Sequence, residues 1–228
     1  MTKLLKIGHR GAKAYVAENT LESISKALEF NVDAIELDVH KCKTGEVVVL
    51  HDFTIDRTTD GTGEVARKSW KKLQSLTIEG KYKIPLLTEV LDHIEGKCSI
   101  NIELKGSNTA DVTCEIIQKY ISEKGWKYSD FIISSFQTNE LFLVRKLDEN
   151  IPIGVLSKAS MTQAIELGKQ LNASAIHPSL GIISRKNVVA AHEAGFKVNV
   201  WTVNEPGEIE RMISYGVDGI ISDYPDRL

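Results

Sequence analysis

Two carboxylates separated by a single residue interrupt a strongly apolar run near the start of the chain. Glu36 and Asp38 alternate with isoleucine, leucine and valine in residues 35–39, and alternate residues of a strand point to the same side. Residues 100–105 repeat the pattern with Glu103 and Lys105. Because burying a carboxylate is unfavourable unless it is paired or bound to a cation, these strands are predicted to carry a functional site.

Three acidic groups that meet at the ends of neighbouring strands would repel one another. Their pKa values would rise unless a cation neutralises them. The all-oxygen ligand set of Glu36, Asp38 and Glu103 favours a hard ion, Mg²⁺ or Ca²⁺, over zinc. The sequence therefore predicts one divalent cation as cofactor. The alternative is that each acid forms an ion pair with its own lysine or arginine.

Two histidines lie beside these strands: His9 closes the first apolar run, and His51 follows the run of valines at 47–49. A lone histidine in such a place is more often structural than catalytic. Two of them beside a carboxylate cluster can take a proton from an attacking oxygen and give one to a leaving alkoxide. Arg10 suits a pair of phosphate oxygens because its guanidinium donates in a planar fork. With Lys105 as a second positive charge, these residues indicate cleavage of a phosphodiester.

The elements that must position these residues are short β-branched runs that alternate with amphipathic stretches. The predicted strands are residues 4–9, 34–40, 98–104, 131–135, 151–157, 175–177, 197–203 and 219–223. The predicted helices include residues 20–30, 111–122, 138–147, 161–169, 185–194 and 205–215. Strict alternation predicts a parallel sheet, and eight repeats predict closure into a TIM (β/α)8 barrel. An open doubly wound sheet is the alternative, but the sequence lacks its Gly-rich phosphate turn.

One polar segment, residues 53–85, breaks this alternation. It follows the second predicted strand, contains three glycines, and is expected to form a small insertion with a short helix near 69–76 and a ribbon at 47–51. An insertion after a barrel strand lies over the carboxyl face, where active sites form. We expect residues 1–228 to form a single domain.

The bulk composition is that of a globular protein, with 42% hydrophobic and 26% charged residues among 228. A formal net charge of -3 supplies no general attraction to nucleic acid or anionic membranes, so neither is an expected partner. Three widely spaced cysteines without a CxxC motif indicate neither disulfides nor zinc. We expect a cytoplasmic protein without a signal peptide or membrane span. A homo-oligomer is left open.

A series of short motifs extends over nearly the whole chain. The motifs are HRG at 9–11, ENT at 18–20, ELDV at 36–39, HD at 51–52, RTT at 57–59 with a glycine at 61, IP at 84–85, IELK at 102–105, WTVN at 201–204 and SDYP at 222–225. In their order and spacing the sequence resembles the glycerophosphodiester phosphodiesterase family, whose fold is a barrel of the phospholipase C-like phosphodiesterase type.

The resemblance implies a hydrolase of lipid and glycerol metabolism that uses a metal to convert glycerophosphodiesters to sn-glycerol 3-phosphate and an alcohol. Position by position, it implies metal ligands at Glu36, Asp38 and Glu103, an acid–base pair at His9 and His51, phosphate contacts at Arg10 and Lys105, and an aromatic wall for glycerol at Trp201. The family's usual proline before ENT is Ala17 here, and its common threonine after IP is Leu86. Both departures lie outside the chemical core and leave only local loop geometry open.

Several other side chains are not assigned to the site. We expect His40 at a solvent-exposed strand end, and His93 and His192 on helix surfaces or in packing. His177 ends the sixth strand near the functional rim, so a site contact is left open. The aromatic residues Phe53, Trp70, Tyr82 and Phe136 either shape a leaving-group pocket or belong to ordinary packing.

Three other functions share parts of this pattern. A lysophospholipase D or phospholipase C on a related barrel would need an apolar rim or membrane-binding segment, which the sequence lacks. A sugar isomerase or aldolase barrel usually supplies one acid per strand, unlike Glu36 and Asp38. An inactive phosphodiester-binding barrel would lack a histidine or a carboxylate. The headgroup, the order in which the histidines act, and the choice between direct water attack and a cyclic phosphate are left open.

Overall fold

The computed structural model describes residues 3–228, and within them one sheet of nine strands carries the fold. The strands are β1 (Leu5–His9), β2 (Ala34–Lys41), β3 (Val47–Val49), β4 (Ser99–Leu104), β5 (Phe131–Ser135), β6 (Ile153–Ser157), β7 (Ala175–Pro178), β8 (Lys197–Val200) and β9 (Gly219–Ser222). Their order is β1-β9-β8-β7-β6-β5-β4-β2-β3, and β1 also pairs with β2. Eight parallel strands therefore close into a barrel, which confirms the predicted fold.

Helices lie between the barrel strands. They are α1 (Leu21–Glu29), α2 (Trp70–Gln74), α3 (Leu87–Ile94), α4 (Ala110–Lys124), α5 (Thr138–Leu147), α6 (Met161–Leu171), α7 (Arg185–Glu193) and α8 (Pro206–Tyr215). The six predicted helices are confirmed with ends that differ by at most two residues. No helix formed by residues 3–228 is long and apolar enough to cross a lipid bilayer.

Helix ends follow local sequence signals. The side chains of Thr20, Ser160 and Ser184 each accept a hydrogen bond from the backbone amide three residues later, which satisfies amides that the first turn leaves free. The helices α4 and α8 end at Gly125 and Gly216, whose φ angles of 75° and 79° are accessible to glycine at little cost. These caps fix where each loop leaves its helix.

The strand register explains how apolar and polar side chains separate. In β2, Ile35, Leu37 and Val39 are fully buried in the main apolar cluster, which includes residues of the surrounding helices. The alternate residues of β2 point to the barrel interior, because successive side chains of a strand lie on opposite faces. Asp38 is directly opposite Glu103 on β4, so the polar side chains of neighbouring strands share one end of the barrel.

The segment 53–85 has its own small core next to the barrel. The strand β3 pairs antiparallel with β2, and α2 confirms the predicted short helix. A second apolar cluster, which we call the insertion core, packs the segment against β3 and the residues around it. Its buried members are Ala17, Cys42, Val48, Leu50, Ile55, Val65, Leu73, Leu76, Ile78 and Ile84. The predicted insertion after the second strand is therefore ordered by packing.

Candidate active site

The carboxylates of β2 and β4 converge at one end of the barrel. Oxygen atoms of Glu36, Asp38 and Glu103 all lie within 4.8 Å of one another, and the three side chains are buried. The strand register explains this directly, because Asp38 pairs with Glu103 and Glu36 precedes Asp38 by one full strand repeat. The predicted acidic cluster is thus a feature of the folded barrel.

The crowding of three acids changes their pKa values unequally. Burial, followed by the charges of Asp38 and Glu103, raises the pKa of Glu36 well above its usual range. Burial and the Asp38 charge raise the pKa of Glu103 to about 7. Burial also acts to raise the pKa of Asp38, but Arg10, His51 and Lys105 outweigh it and hold that pKa below its usual range. One carboxylate is therefore stabilised as an anion, while two favour protonation.

Two cations lie beside the three acids. Lys105 Nζ is 2.9 Å from Glu103 Oε1 and 3.7 Å from Asp38 Oδ1, and Arg10 Nε is 3.3 Å from Asp38 Oδ2. The Glu36 carboxylate has no lysine or arginine side-chain nitrogen within 4.0 Å among residues 3–228, and it accepts a hydrogen bond from the backbone amide of Arg10 at 3.1 Å. The alternative of one basic partner for each acid therefore does not describe Glu36.

A divalent cation fits this arrangement. Asp38 Oδ1 is a buried oxygen without a hydrogen-bond donor in the described part of the chain, and buried polar atoms normally have a partner. The oxygen ligands are of the kind that Mg²⁺ and Ca²⁺ prefer. A cation bound between Glu36, Asp38 and Glu103 would remove the repulsion among the three acids and give Asp38 Oδ1 a partner.

His9 is held by an acid from the opposite end of the chain. Its Nδ1 lies 2.5 Å from Asp223 Oδ1, and its Nε2 lies 3.9 Å from Glu36 Oε2. Burial lowers the pKa of His9, although Asp223 acts in the opposite direction. The imidazole is therefore oriented with Nδ1 toward a carboxylate and Nε2 toward the acidic cluster.

His51 has a matching arrangement on the other side. Its Nδ1 lies 2.6 Å from Asp52 Oδ1, and Lys105 Nζ donates to its Nε2 at 3.1 Å. Arg57 in the insertion donates to Asp52 Oδ2 at 2.5 Å and to Glu18 Oε1 at 2.5 Å. Burial lowers the pKa of His51, although the charge of Asp38 acts in the opposite direction. A network that includes the insertion thus fixes the second imidazole.

Arg10 adopts an uncommon backbone conformation between the two histidines. Its φ is 53°, in the left-handed region that non-glycine residues seldom adopt. In this conformation its amide points to Glu36, while its guanidinium donates to Glu18 at 2.9 Å. Asn19, with a φ of 59°, donates to Asp38 Oδ2 at 3.0 Å. The strained loop after β1 therefore orients both acids of β2.

A cleft opens above this cluster. Seven of the eight predicted site residues line it, namely His9, Arg10, Glu36, His51, Glu103, Lys105 and Trp201. Asp38 lies beneath them and is 1% exposed. The structure therefore brings together the full set of residues that the sequence analysis selected, at the carboxyl ends of the strands.

Two histidines that the sequence analysis did not assign to the site, His40 and His177, are both buried. His40 is 2% exposed, so the expected solvent-exposed position was wrong. Its ring meets that of Phe53 in the insertion edge-on, with centroids 5.3 Å apart. His177 is fully buried below the rim, where its Nε2 contacts the Asn199 side chain at 3.1 Å. Its backbone carbonyl accepts a hydrogen bond from the Trp201 indole at 2.7 Å, so its link to the cleft is indirect.

Other histidines and aromatic residues lie away from the cleft. His93 contacts Ser25 at 2.7 Å, and His192 contacts Asp218 at 2.8 Å, in agreement with the expected packing and surface positions. Trp70 and Tyr82 pack against the insertion core. Phe53 and Phe136, by contrast, line the outer part of the cleft.

Sequence reasoning did not assign a role to the acids that hold the histidines. Asp52 directly follows His51 within a quoted motif, so a neighbouring acid was visible in the sequence. Asp223 also belongs to a quoted motif, but it meets His9 only because β9 lies beside β1 in the closed barrel. Its position after the last strand was the available signal.

The sequence and the fold are similar to those of known proteins. The Glycerophosphoryl diester phosphodiesterase family model matches residues 9–227. A glycerophosphodiester phosphodiesterase of Caldanaerobacter subterraneus subsp. tengcongensis is 34% identical over 99% of this chain and 96% of its own length. One from Bacillus altitudinis is 36% identical over 100% of this chain and 96% of its own length.

Solved structures share the fold. An Oleispira antarctica phosphodiesterase in complex with the product sn-glycerol-3-phosphate has a TM-score of 0.89 at 26% identity, over 97% of this chain and 93% of that chain. A putative glycerophosphoryl diester phosphodiesterase from Silicibacter pomeroyi has a TM-score of 0.87 at 26% identity, over 99% of this chain and 92% of that one.

Proposed function

Since this chain belongs to the glycerophosphoryl diester phosphodiesterase family, we propose that its cleft hydrolyses glycerophosphodiesters with two histidines and one divalent cation. The reaction releases sn-glycerol 3-phosphate and an alcohol, which makes the protein a phosphoric diester hydrolase. The observation that carries the site assignment is the pairing of His9 and His51 with carboxylates on either side of the acidic cluster.

Glu36, Asp38 and Glu103 would hold the cation, with Mg²⁺ and Ca²⁺ as the candidates. When bound there, such an ion supplies positive charge that polarises a phosphoryl oxygen. Arg10 and Lys105 add two fixed positive charges beside the acids. These two side chains would bind the nonbridging oxygens and orient the phosphodiester, because a site built from fixed charges needs no reorganisation during the reaction.

One histidine accepts a proton during the reaction and the other donates one. Asp223 and Asp52 each accept a hydrogen bond from Nδ1 in this assignment, so Nε2 is the atom that exchanges a proton. One neutral imidazole removes the proton from the attacking oxygen. The other, protonated, donates its proton to the oxygen of the departing alcohol as the P–O bond breaks. The lowered pKa values of His9 and His51 favour the neutral form that a base requires.

Two routes use these same groups. In one, water attacks phosphorus directly and the P–O bond to the alcohol breaks. In the other, the glycerol 2-hydroxyl attacks and expels the alcohol, and water then opens the cyclic phosphate. Each route consumes one water overall. In the direct route each histidine has a single role, whereas in the cyclic route the histidines exchange the roles of base and acid between the two steps.

The test is a hydrolysis assay on purified protein. Release of glycerol 3-phosphate from glycerophosphoethanolamine or glycerophosphoglycerol is expected, with loss of activity in EDTA and recovery when Mg²⁺ or Ca²⁺ is added back. His9→Ala and His51→Ala should each lower kcat by about 10²–10⁴-fold while the circular dichroism spectrum is unchanged. A histidine variant of near wild-type activity would remove that residue from the mechanism. Activity in EDTA by a protein free of metal on elemental analysis would exclude the cation.

We also infer how the protein works in the cell. The chain acts as a single barrel domain in the cytoplasm, on small-molecule substrates of lipid and glycerol metabolism. Three cysteines without a disulfide support a reducing compartment. A size measurement would show whether the barrel also forms a homo-oligomer.

A further inference from the structure

The cleft has two connected parts of different size. The inner lobe, about 90 Å³, contains the acidic cluster, both histidines and Arg10. The outer lobe, about 510 Å³, is lined by His51, Phe53, Glu103, Leu104, Lys105, Phe136, Gln137, Lys158 and Trp201. Because the two lobes adjoin and share His51, Glu103, Lys105, Phe136 and Trp201, one bound molecule would extend from the first into the second.

The larger lobe suits the variable part of the substrate. Every glycerophosphodiester contains the same glycerol 3-phosphate, whereas its alcohol differs in size and charge. Of the two charged groups that would bind phosphate, Arg10 lines the inner lobe only and Lys105 lies where the two lobes meet. The departing alcohol would therefore occupy the outer lobe, next to His51.

Aromatic side chains form the walls of the outer lobe. Phe136 meets Trp201 edge-on with ring centroids 5.7 Å apart, and Phe53 is 60% exposed. Walls of this kind would favour a quaternary ammonium headgroup such as choline, because a cation is attracted to the face of an aromatic ring. On the aromatic residues alone, a choline preference is expected.

Lys158 reverses that expectation. Its Nζ lies 5.6 Å from the centre of the Phe136 ring, where a ligand cation would otherwise bind. Lys158 has no salt-bridge partner among residues 3–228, and it follows β6 at the rim of the cleft. The lining of the outer lobe includes one carboxylate, Glu103, which already contacts Lys105 at 2.9 Å. An ammonium headgroup would meet an unpaired positive charge and no free acid.

We propose that Lys158 is a selectivity residue that makes the enzyme prefer uncharged polyol headgroups, such as glycerol and inositol, over choline. This inference rests on the proposed function of the cleft. In a solvent-exposed site, the repulsion between two like charges about 5 Å apart is roughly 1 kcal/mol. A cationic headgroup beside Lys158 should therefore react about three- to tenfold more slowly than an uncharged one.

The experiment compares kcat/KM for glycerophosphoglycerol and glycerophosphocholine. The wild-type protein should favour the glycerol headgroup by about three- to tenfold at low salt, and this ratio should shrink at high salt because mobile ions screen exposed charges. Lys158→Gln should bring the ratio close to one, and Lys158→Glu should favour choline. Lys119→Gln on α4 is the charge-matched control, since Lys119 is exposed and distant from the cleft.

The outcomes are distinguishable. A wild-type enzyme that prefers choline, or a ratio that Lys158→Glu leaves unchanged, would overturn the assignment while leaving the hydrolase function intact. The same change of ratio in Lys119→Gln would show an effect of net charge alone, and would also overturn it. Hydrolysis of neither substrate would instead contradict the proposed function.

Discussion

The Nδ1 atom of His9 lies 2.5 Å from Oδ1 of Asp223, although 214 positions separate the two residues in the sequence. His9 ends β1 and Asp223 directly follows β9, and these strands are neighbours in the closed sheet. Asn204 donates to the other oxygen of Asp223 at 2.9 Å, which fixes the carboxylate. Closure of the barrel therefore assembles an imidazole–carboxylate pair, and the pair is complete only when the last strand is in place.

The first prediction concerns Asp223→Asn. The amide keeps the size of the side chain but permits the wrong imidazole tautomer, so kcat should fall by about 10²–10⁴-fold. Asp223 acts to raise the pKa of His9. Its removal should therefore also shift the limb of the pH–rate profile that His9 controls to lower pH. Steady-state kinetics between pH 5 and 9 would measure both effects.

A surface variant provides the control for that change. Asp92 on α3 forms an exposed ion pair with Lys124, so Asp92→Asn removes one negative charge far from the cleft. It should leave the profile unchanged. A pH profile of Asp223→Asn that parallels the wild type at lower amplitude would mean that Asp223 supports the fold and does not tune His9.

Much of this fold was accessible from the sequence because the barrel strands are buried on both faces. Buried strands are short apolar runs, and the acids of β2 and β4 were conspicuous as interruptions of such runs. Strand order predicts that β2 and β4 are neighbours, and their register places Asp38 opposite Glu103. The acidic cluster was therefore predictable from local patterns and parallel topology.

Features that depend on long-range packing were harder to predict. His40 alternates with Asp38 along β2 and looked solvent-exposed, but Phe53 of the insertion covers it. The position of Lys158 over Phe136 depends on how two separate loops meet at the rim. No periodicity within residues 53–85 indicated that Arg57 would reach Asp52 and Glu18. Such contacts require the tertiary structure.

The second prediction concerns the pH dependence of metal binding. Burial and Asp38 raise the pKa of Glu103 to about 7, and a cation binds the deprotonated carboxylate. Affinity for Mg²⁺ or Ca²⁺ should therefore fall as pH decreases through 7, by up to about tenfold per pH unit for each proton displaced. Calorimetry at pH 6.5 in buffers of different ionisation enthalpy should detect proton release on binding. An affinity that is constant between pH 5.5 and 8.5 would contradict the cluster as the metal site.

The third prediction concerns the stability of the metal-free protein. A raised pKa means that ionised Glu103 is disfavoured in the fold, so its contribution is destabilising above pH 7 and weakens as pH falls toward the unfolded-state pKa. Glu103→Gln should therefore raise Tm in EDTA at pH 8 by about 2–8 °C, with a smaller difference at pH 5. The variant should also lose the stabilisation that added Mg²⁺ gives the wild type.

An exposed acid serves as the comparison. Glu115 on α4 is exposed and forms no ion pair among residues 3–228, so Glu115→Gln should leave the pH dependence of Tm unchanged. If Glu103→Gln instead lowered Tm in EDTA at pH 8, the ionised carboxylate would be stabilising, and the raised pKa would be wrong.

The fourth prediction tests the link between the insertion core and the cleft. Leu73 on α2 is fully buried there, so Leu73→Ala should destabilise the packing around it by about 2–5 kcal/mol. The insertion carries Arg57, which holds Asp52 and Glu18. Looser packing should therefore lower kcat and open residues 53–85 to proteolysis below the temperature at which the barrel unfolds. Limited proteolysis with mass spectrometry would map the cleavage sites.

The matched substitution for Leu73→Ala lies in the other apolar cluster. Leu141 on α5 is equally buried but belongs to the main cluster around the barrel. Leu141→Ala should lower the Tm of the whole protein without preferential cleavage within residues 53–85, because Leu141 is not part of the insertion core. Identical cleavage patterns in the two variants would mean that the insertion and the barrel unfold as one unit. The network from Arg57 to His51 would then respond only to global stability.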